Sequence, residues 1–122
     1  MNTRDDVKQF MIAGDALETG IDSNQAKLYK CLVQEEFEEL MTAFANKDIV
    51  EIADACADLH WVIEGLEITL GLPQQEIWDE VKRSNFSKVD AKTNKIIKRA
   101  DGKIMKPDTY SPPDIRKILE KQ

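Results

Sequence analysis

Apolar residues recur at three- and four-residue steps along the first two thirds of the chain, which is the spacing of amphipathic helices. Gly14 and Gly71 are suited to end two of these helices, and Asp48 is suited to begin one. The predicted helices cover about residues 4–14, 24–45, 49–70 and 73–83.

The pattern changes beyond Ser84. Two short apolar segments, 95–98 and 103–106, flank Asp101-Gly102 and predict a small β-hairpin, and residues 111–114 begin a short last helix. The sequence therefore predicts an all-α fold, namely a four-helix bundle with a short C-terminal hairpin and a terminal helix. We expect a single domain over residues 1–122, with a helical core at about 4–84 and a C-terminal arm at about 85–122.

The composition fits one soluble domain. The 122 residues are 42% hydrophobic and 33% charged, an ordinary balance for a protein of this length. The net charge of −6 argues against a nucleic-acid polymer as partner, because a phosphate backbone needs a basic surface. No apolar run approaches the ~20 residues of a membrane span, and the first ten residues show no signal-peptide pattern. We expect a cytoplasmic protein (in the host cytoplasm if virus-encoded), with Cys31 and Cys56 reduced and buried.

Acidic residues are concentrated in the two long helices. At ~100° of rotation per residue, Glu35, Glu36 and Glu39 fall within one arc on the apolar side of the second helix. A second arc on the third helix contains Glu51, Asp54 and Asp58. The opposite, solvated faces are predicted to carry Glu38, His60, Glu64 and Glu67.

The two acidic arcs are expected to face one another. The short connection at residues 46–48 makes the helices antiparallel neighbours, with Glu36 level with Asp58 and Glu39 level with Asp54. Carboxylates crowded into a semi-buried seam repel each other, and their desolvation is costly unless a cation compensates. Because all-oxygen ligands select Mg²⁺, Mn²⁺ or Ca²⁺ over zinc, the pattern predicts a site for such an ion.

Three of these carboxylates have alternative roles. Glu51 follows Asp48 at the spacing of a capping box, so it is equally suited to satisfying the start of the helix. Glu35 lies at the edge of its arc, where it would hold a second ion, orient a water or simply be exposed. Asp58 is suited to be a ligand, a group behind the ligands or a contact to substrate.

The ordered acidic residues resemble the signature of the all-α nucleoside triphosphate pyrophosphohydrolases, with Glu35-Glu36-x-x-Glu39 followed by Glu51-x-x-Asp54. Residues 54–65 resemble the third helix of the short MazG-like and phosphoribosyl-ATP pyrophosphohydrolase-like proteins. The tail of the same group is similar to residues 81–88, 101–103, 106–107 and 110–114. The resemblance covers most of the chain.

The resemblance implies hydrolysis of the α–β phosphoanhydride of a (deoxy)nucleoside triphosphate, which gives the monophosphate and pyrophosphate. Glu36, Glu39, Glu51 and Asp54 match the positions that bind Mg²⁺, for which Mn²⁺ can substitute. Glu35 matches the position suggested to activate water or to hold an additional ion. The gap between Glu39 and Glu51 is slightly shorter than the family pattern, and Asp58 offers a competing alignment in which it replaces Asp54.

Contacts to the nucleotide are expected outside the acidic arcs. Lys82, Asn85 and Lys88 lie near the end of the fourth helix, where basic groups suit either a phosphate tail or the helix dipole, and the resemblance favours phosphate for the last two. Trp61 borders the acidic arc and suits stacking on a base, although a core or interface position is a commoner role for tryptophan.

The bundle is expected to be completed by oligomerisation, as a homodimer or homotetramer, and Gly65 suits a close helix approach at such an interface. Two other functions remain open. One is a phosphoribosyl-ATP pyrophosphohydrolase, which the tail resembles less than it resembles the MazG-like group. The other is a non-catalytic acidic helical module that binds Ca²⁺ or a partner protein.

Overall fold

The computed structural model describes residues 2–16 and 18–122, and it confirms that the chain is mostly helical with an all-α fold. None of the helices in this described part is long and apolar enough to cross a bilayer. The elements, in chain order, are α1 (Thr3–Ala13), α2 (Asn24–Ala45), α3 (Ile49–Leu70), α4 (Gln74–Phe86), β1 (Val89–Asp90), β2 (Lys95–Ile96) and α5 (Ile115–Glu120).

Local capping explains where the two long helices begin and end. The side chain of Ser23 accepts a hydrogen bond from the Ala26 N–H and so begins α2, and Asp48 accepts one from the Glu51 N–H and so begins α3. Gly71 ends α3 with a φ of 66°, in the left-handed region that glycine adopts without a steric penalty. The bounds of α2 and α3 agree with those predicted from the sequence.

The chain up to Leu72 forms one compact unit, in which α3 packs against both α2 and α1. Its core contains Val7, Met11, Tyr29 and Val62, which come from all three helices. The three-residue connection between α2 and α3 makes these two helices antiparallel neighbours.

Gly65 lets α2 and α3 approach closely. A Cβ at this position would stand 2.1 Å from Cε1 of Tyr29, so only a glycine leaves room for the buried ring. The close approach predicted at Gly65 therefore lies within one chain, between α3 and α2.

The chain from Pro73 onwards forms a second compact unit, in which α4 packs against α5. Strands β1 and β2 are antiparallel, with Val89 opposite Ile96, and the sequence pattern did not predict this pairing. The predicted hairpin around Asp101-Gly102 is present but short, because a single bridge joins Lys98 to Ile104.

The C-terminal helix is held by polar contacts within this second unit. Glu80 accepts a hydrogen bond from the Asp114 N–H at 2.7 Å and forms a two-point ion pair with Arg83. Arg83 also donates to the carbonyl of Pro112 at 3.1 Å. These contacts fix the start of α5 against α4.

Some exposures differ from the sequence predictions. Cys31 and Cys56 are free, as expected, but exposed rather than buried. On α2, Leu28 and Phe44 are 55% and 65% exposed, although both belong to the apolar residues that recur at three- and four-residue steps along this helix. The apolar stripe of α2 is thus wider than the surface that α3 covers.

Candidate active site

Four carboxylates from α2 and α3 lie close enough to repel one another. Glu36 feels the negative charges of Glu39, Asp58 and Asp54, and Asp58 feels those of Asp54 and Glu39. The antiparallel packing of α2 against α3 brings them together across the seam, as their positions along the two helices predict. The structure thus places the two acidic arcs opposite one another in the unit formed by α1, α2 and α3.

Burial and mutual repulsion raise the pKa of two of these groups. Burial is the largest cause for Glu36, followed by the charges of Glu39 and Asp58. The pKa of Asp58 is raised first by burial and then by the charge of Asp54. Burial and repulsion both disfavour the ionised form of these carboxylates. A cation bound among them would lower their pKa values again.

No ion pair in the described part of the chain compensates these charges, although Glu39 and Asp54 are exposed to solvent, so the predicted semi-buried seam holds only for Glu36 and Asp58. The two ion pairs of this part, Glu80–Arg83 and Arg99–Asp101, both lie in the second unit. One carboxylate oxygen of Glu36, Oε2, is buried and has no hydrogen-bond partner. An orphaned buried oxygen among repelling carboxylates fits a hard divalent cation, which binds all-oxygen sites.

A groove continues the site towards the connection between the helices. It measures about 600 Å³ and is lined by residues that include Glu35, Glu38, Glu39, Asp48 and Glu51. Glu35 and Glu51, the two remaining acidic positions singled out in the sequence, thus line this groove together with Glu39. Glu38 is exposed, as predicted, and accepts a hydrogen bond from Gln34.

The side chain of Glu51 is not used as a helix cap. Asp48 caps α3 by accepting from the Glu51 N–H at 3.2 Å, but the N–H of Asp48 donates to the carbonyl of Ala43. The reciprocal half of a capping box is therefore absent here, and the carboxylate of Glu51 remains available on the groove.

The carboxylates do not form a preformed cage. Within residues 2–16 and 18–122, no three Asp, Glu, His or Cys side chains are already arranged as a group that could hold a metal ion. An ion would have to draw the carboxylates of α2 and α3 towards itself by rotation of their side chains. The roles of Glu36, Glu39, Glu51, Asp54 and Asp58 as ligands stay predictions.

Trp61 lies on α3 beside a second cavity, of about 240 Å³, between α1 and α3. The residue is 38% exposed, and its ring meets the ring of Phe10 edge to face, with 5.5 Å between the ring centroids. The exposed part of the ring is available to a flat ligand.

The predicted phosphate contacts all belong to the second unit. Lys88 Nζ donates to the side-chain oxygen of Asn85 at 3.1 Å and lies 5.9 Å from the centre of the Tyr110 ring, while Lys82 is exposed. Arg83 differs from them, because Glu80 and the Pro112 carbonyl occupy its guanidinium. Arg83 is therefore a structural residue, whereas the roles of Lys82, Asn85 and Lys88 stay predictions.

The predicted solvent exposure of Glu64 and Glu67 was wrong. Glu64 is only 8% exposed, and Glu67 is half-buried with a pKa raised by burial and by the charge of Glu64. Helix α1 covers this side of α3, and its Thr3 hydroxyl donates to Glu64 at 2.9 Å. Of the three side chains assigned to that face of α3, namely His60, Glu64 and Glu67, only His60 is exposed.

Opposed carboxylates on antiparallel helices, in an all-α fold, are the arrangement expected of an all-α nucleotide pyrophosphohydrolase. The family model of phosphoribosyl-ATP pyrophosphohydrolase matches residues 10–85, which is more than half of the chain. The chain therefore belongs to this family, within the MazG-like all-α NTP pyrophosphohydrolase superfamily.

Membership of the family indicates a pyrophosphohydrolase that acts on a nucleotide, and such enzymes generally use divalent metal ions. The match includes α2 and α3 with all the acidic positions, and it ends before β1. No curated protein matches the chain.

Proposed function

We propose that the protein hydrolyses a (deoxy)nucleoside triphosphate to the nucleoside monophosphate and pyrophosphate, and so controls or cleans a nucleotide pool. The observation that carries the proposal is the group formed by Glu36, Glu39, Asp54 and Asp58, in which burial and mutual repulsion raise the pKa of Glu36 and Asp58, in a chain of this family. We propose that residues 1–122 act as a single domain.

The proposed cofactor is Mg²⁺, with Mn²⁺ able to substitute. Glu36, Glu39, Glu51 and Asp54 would hold it, with Asp58 as an additional or alternative ligand. The bound ion would supply positive charge against the phosphate oxygens, which limits the build-up of negative charge during the reaction. The buried and unpaired Oε2 of Glu36 supports this ligand set, because an ion would satisfy it.

Glu35 is proposed as the residue that orients the attacking water. It is exposed on the groove beside Glu39 and is therefore accessible to a water molecule. A carboxylate within hydrogen-bond reach of that water would accept its proton as the bond to phosphorus forms. Lys82, Asn85 and Lys88 are proposed to bind the phosphate chain of the substrate through charge-assisted hydrogen bonds.

Phosphoribosyl-ATP is the second candidate substrate, because the matching family model carries the name of that activity. Both substrates contain the same phosphoanhydride, so the carboxylate site suits them equally. The tail, in which the chain resembles the MazG-like group more closely, begins within the match at residues 10–85, but its parts at 101–103, 106–107 and 110–114 lie outside it. We therefore favour the triphosphate and test both.

We also propose that the protein is a homodimer or homotetramer. Large apolar side chains remain exposed on the two long helices of the single chain, among them Phe37, Met41, Phe44, Ile49 and Val50. Large apolar side chains that are left exposed favour association with another subunit where they form one surface. Sedimentation of the full chain would measure the mass, and a monomer at micromolar concentration would contradict the proposal.

The test of the activity is a product assay. The full chain is incubated with Mg²⁺ and, in parallel, with the common (d)NTPs and with phosphoribosyl-ATP, and the products are separated by anion exchange. We expect monophosphate plus pyrophosphate from at least one triphosphate. Release of inorganic phosphate alone would contradict the mechanism, and turnover of phosphoribosyl-ATP alone would select the second candidate.

Two glutamates of one helix provide a matched pair of variants. Glu39→Gln removes a proposed ligand, and we expect turnover to fall by at least a hundredfold. Glu38→Gln makes the same chemical change at an exposed neighbour that also lines the groove but has no assigned role as a ligand or base, and it should retain turnover within about twofold, as is usual for surface substitutions. Equal activity of the two variants would exclude Glu39 as a ligand.

A further inference from the structure

The short hairpin at residues 95–106, termed the basic hairpin, is exposed on both faces. Its two strands are joined where the Met105 N–H donates to the Ile97 carbonyl and the Arg99 N–H donates to the Lys103 carbonyl, both at 2.8 Å. Every residue from 91 to 106 is nevertheless exposed. Backbone hydrogen bonds therefore hold the hairpin together, and neither of its faces covers a core.

Both faces of the basic hairpin carry large apolar side chains. Because Lys98 lies opposite Ile104 and side chains alternate along a strand, Ile96 and Ile104 share one face, while Ile97 and Met105 share the other. These four apolar side chains are 41–47% exposed. A hairpin of this size is only marginally stable unless it packs against another surface. The exposed apolar side chains thus indicate that a partner covers the hairpin.

The basic hairpin is also cationic, in a chain that is acidic elsewhere. It contains five basic residues and one acidic residue, a net charge of +4, so the other 110 residues carry a net charge of −10. Arg99 pairs with Asp101 at 2.7 Å, but the four lysines of the hairpin form no ion pair within residues 2–16 and 18–122. A fitting partner offers both carboxylates and apolar side chains.

A second copy of this chain offers both. Residues 35–51, termed the acidic end, comprise the last part of α2, the connection and the start of α3, with six acidic residues and one basic residue. The same segment exposes Met41, Phe44, Ile49 and Val50 by 46–73%. The acidic end therefore complements the basic hairpin in charge and in apolar character. A nucleic acid or an anionic membrane fits less well, because the net charge of −10 on the rest of the chain repels a polyanion.

The acidic end also borders the candidate active site. The groove of about 600 Å³ is lined by five carboxylates and, in the described part of the chain, by no basic residue. Asp48 belongs to this lining and is followed directly by the exposed Ile49. A hairpin that packs on the apolar side chains of the acidic end would therefore bring its lysines to the groove.

We propose that the basic hairpin of one copy docks on the acidic end of a second copy and places its lysines over the groove there. The candidate active site thereby receives cationic groups from the neighbouring chain. The docking itself does not depend on the reaction. The role of these lysines rests on the proposed function, in which they bind the phosphate chain of the substrate through charge-assisted hydrogen bonds.

The first test detects the contact without turnover. The full chain is prepared in a light and an isotopically heavy form, and the two are mixed in denaturant and refolded together without metal. A carbodiimide then joins amines to carboxylates that are in contact. We expect cross-links between the hairpin lysines and the acidic end that combine a light with a heavy peptide, and high salt should suppress them. The lysines that react identify the docked face, since Lys98 and Lys106 lie on one face and Lys95 and Lys103 on the other.

Two results of this test would overturn the inference. Cross-links that join only peptides of the same label would place the contact within one chain. A lack of any cross-link between the hairpin lysines and the acidic end would remove the docking altogether.

The second test measures what the lysines do at the site. The double variant Lys98→Gln, Lys103→Gln neutralises one lysine on each face of the hairpin, and we expect its turnover to fall at least tenfold. Lys117→Gln, Lys121→Gln removes the same charge from two exposed lysines at α5 and should retain turnover within about twofold, as is usual for surface substitutions.

Mixed assemblies assign the lysines to the neighbouring chain. The hairpin double variant is refolded together with Glu39→Gln, which lacks a proposed metal ligand but keeps its lysines. A hybrid of the two contains one complete site, so turnover should rise at least fivefold above that of either variant alone. A chain that carries all three substitutions is the control and should give no recovery with the double variant. Equal turnover with both partners would mean that the lysines act within their own chain, which contradicts the proposal.

The two tests separate this inference from the proposed function. Cross-links between light and heavy peptides, without turnover of any nucleotide by the wild type, would leave the docking in place and contradict the proposed function. Turnover of a triphosphate by the wild type, without such cross-links, would leave the proposed function in place and overturn the docking.

Discussion

Gly65 of α3 lies directly against the ring of Tyr29 of α2, with a hypothetical Cβ at Gly65 only 2.1 Å from Cε1 of the tyrosine. Tyr29 is 7% exposed and belongs to the core, so its ring cannot simply swing into solvent. We expect Gly65→Ala to push α2 away from α3 and to lower the free energy of unfolding by about 1–3 kcal/mol. Chemical denaturation of the metal-free protein would measure this change.

Gly14 provides the control for that substitution. A Cβ at Gly14 would lie 3.7 Å from its nearest neighbour, the carbonyl oxygen of Phe10, which is an ordinary contact. Gly14→Ala should therefore change stability much less than Gly65→Ala. Equal effects of the two substitutions would mean that the loss of glycine itself, rather than the contact with Tyr29, controls stability.

The helices and the meeting of the acidic arcs were predictable because their signals are local. Ser23, Asp48 and Gly71 act on backbone groups a few positions away, so they determine the ends of α2 and α3 directly. The short connection then determines which residues of the two helices lie level. Glu36 and Asp58 could be placed together from spacing alone.

The environment of Glu64 was not predictable from the same signals. Its burial depends on α1, whose Thr3 is 61 positions away in the chain, and helical periodicity contains no information about such a contact. A helical wheel of a single helix predicts one buried side. Helix α3, however, is covered by α2 on one side and by α1 on another. The missed β1–β2 pair has a different cause, since strands of two residues are too short to show alternation.

The acidic cluster is expected to make stability depend on pH and on metal. The folded-state pKa of Glu36 is raised above its ordinary value of 4.5, so the folded protein carries an electrostatic penalty at neutral pH. That penalty is present above the folded-state pKa, declines as the pH falls through it, and is absent below the unfolded value. In a chelator, Glu36→Gln should therefore melt at a higher temperature than the wild type at pH 7, and this advantage should vanish towards pH 4.

Magnesium should reverse that order. An ion held by the carboxylates stabilises the wild type by mass action, and Glu36→Gln should gain less because it lacks one proposed ligand. Melting curves with and without Mg²⁺ at pH 7 would show the effect, with Glu38→Gln as the control that follows the wild type. A wild type that gains no stability from Mg²⁺, Mn²⁺ or Ca²⁺ would contradict the metal site.

Glu80 should show the opposite dependence on pH in the second unit. Its hydrogen bonds with Arg83 and with the Asp114 N–H lower its pKa to about 2. The stabilising contacts are therefore complete above the ordinary value of 4.5 and are lost only as the pH falls through about 2. Glu80→Gln should open the start of α5 at neutral pH, which amide hydrogen exchange at Asp114 and Lys117 would detect. Asp79→Asn on the same helix is the control, because the exposed Asp79 carboxylate accepts from Gln75 within α4, and equal exchange in both variants would remove Glu80 from this role.

Lys88 tests whether the second unit binds the phosphate chain. Its ammonium group is paired only with neutral groups, the Asn85 oxygen at 3.1 Å and the Tyr110 ring at 5.9 Å from the centroid, so its charge is free to meet an anion. We expect Lys88→Gln to lower kcat/KM for the triphosphate about tenfold, which corresponds to roughly 1.4 kcal/mol. Because exposed charges are screened by salt, the loss should shrink as the ionic strength rises.

Lys92→Gln, at an exposed position on the turn between β1 and β2, removes the same charge and should leave kcat/KM unchanged. A loss that is independent of salt, or one that appears equally in the Lys92 variant, would show that Lys88 acts on folding or on overall charge instead of on the substrate.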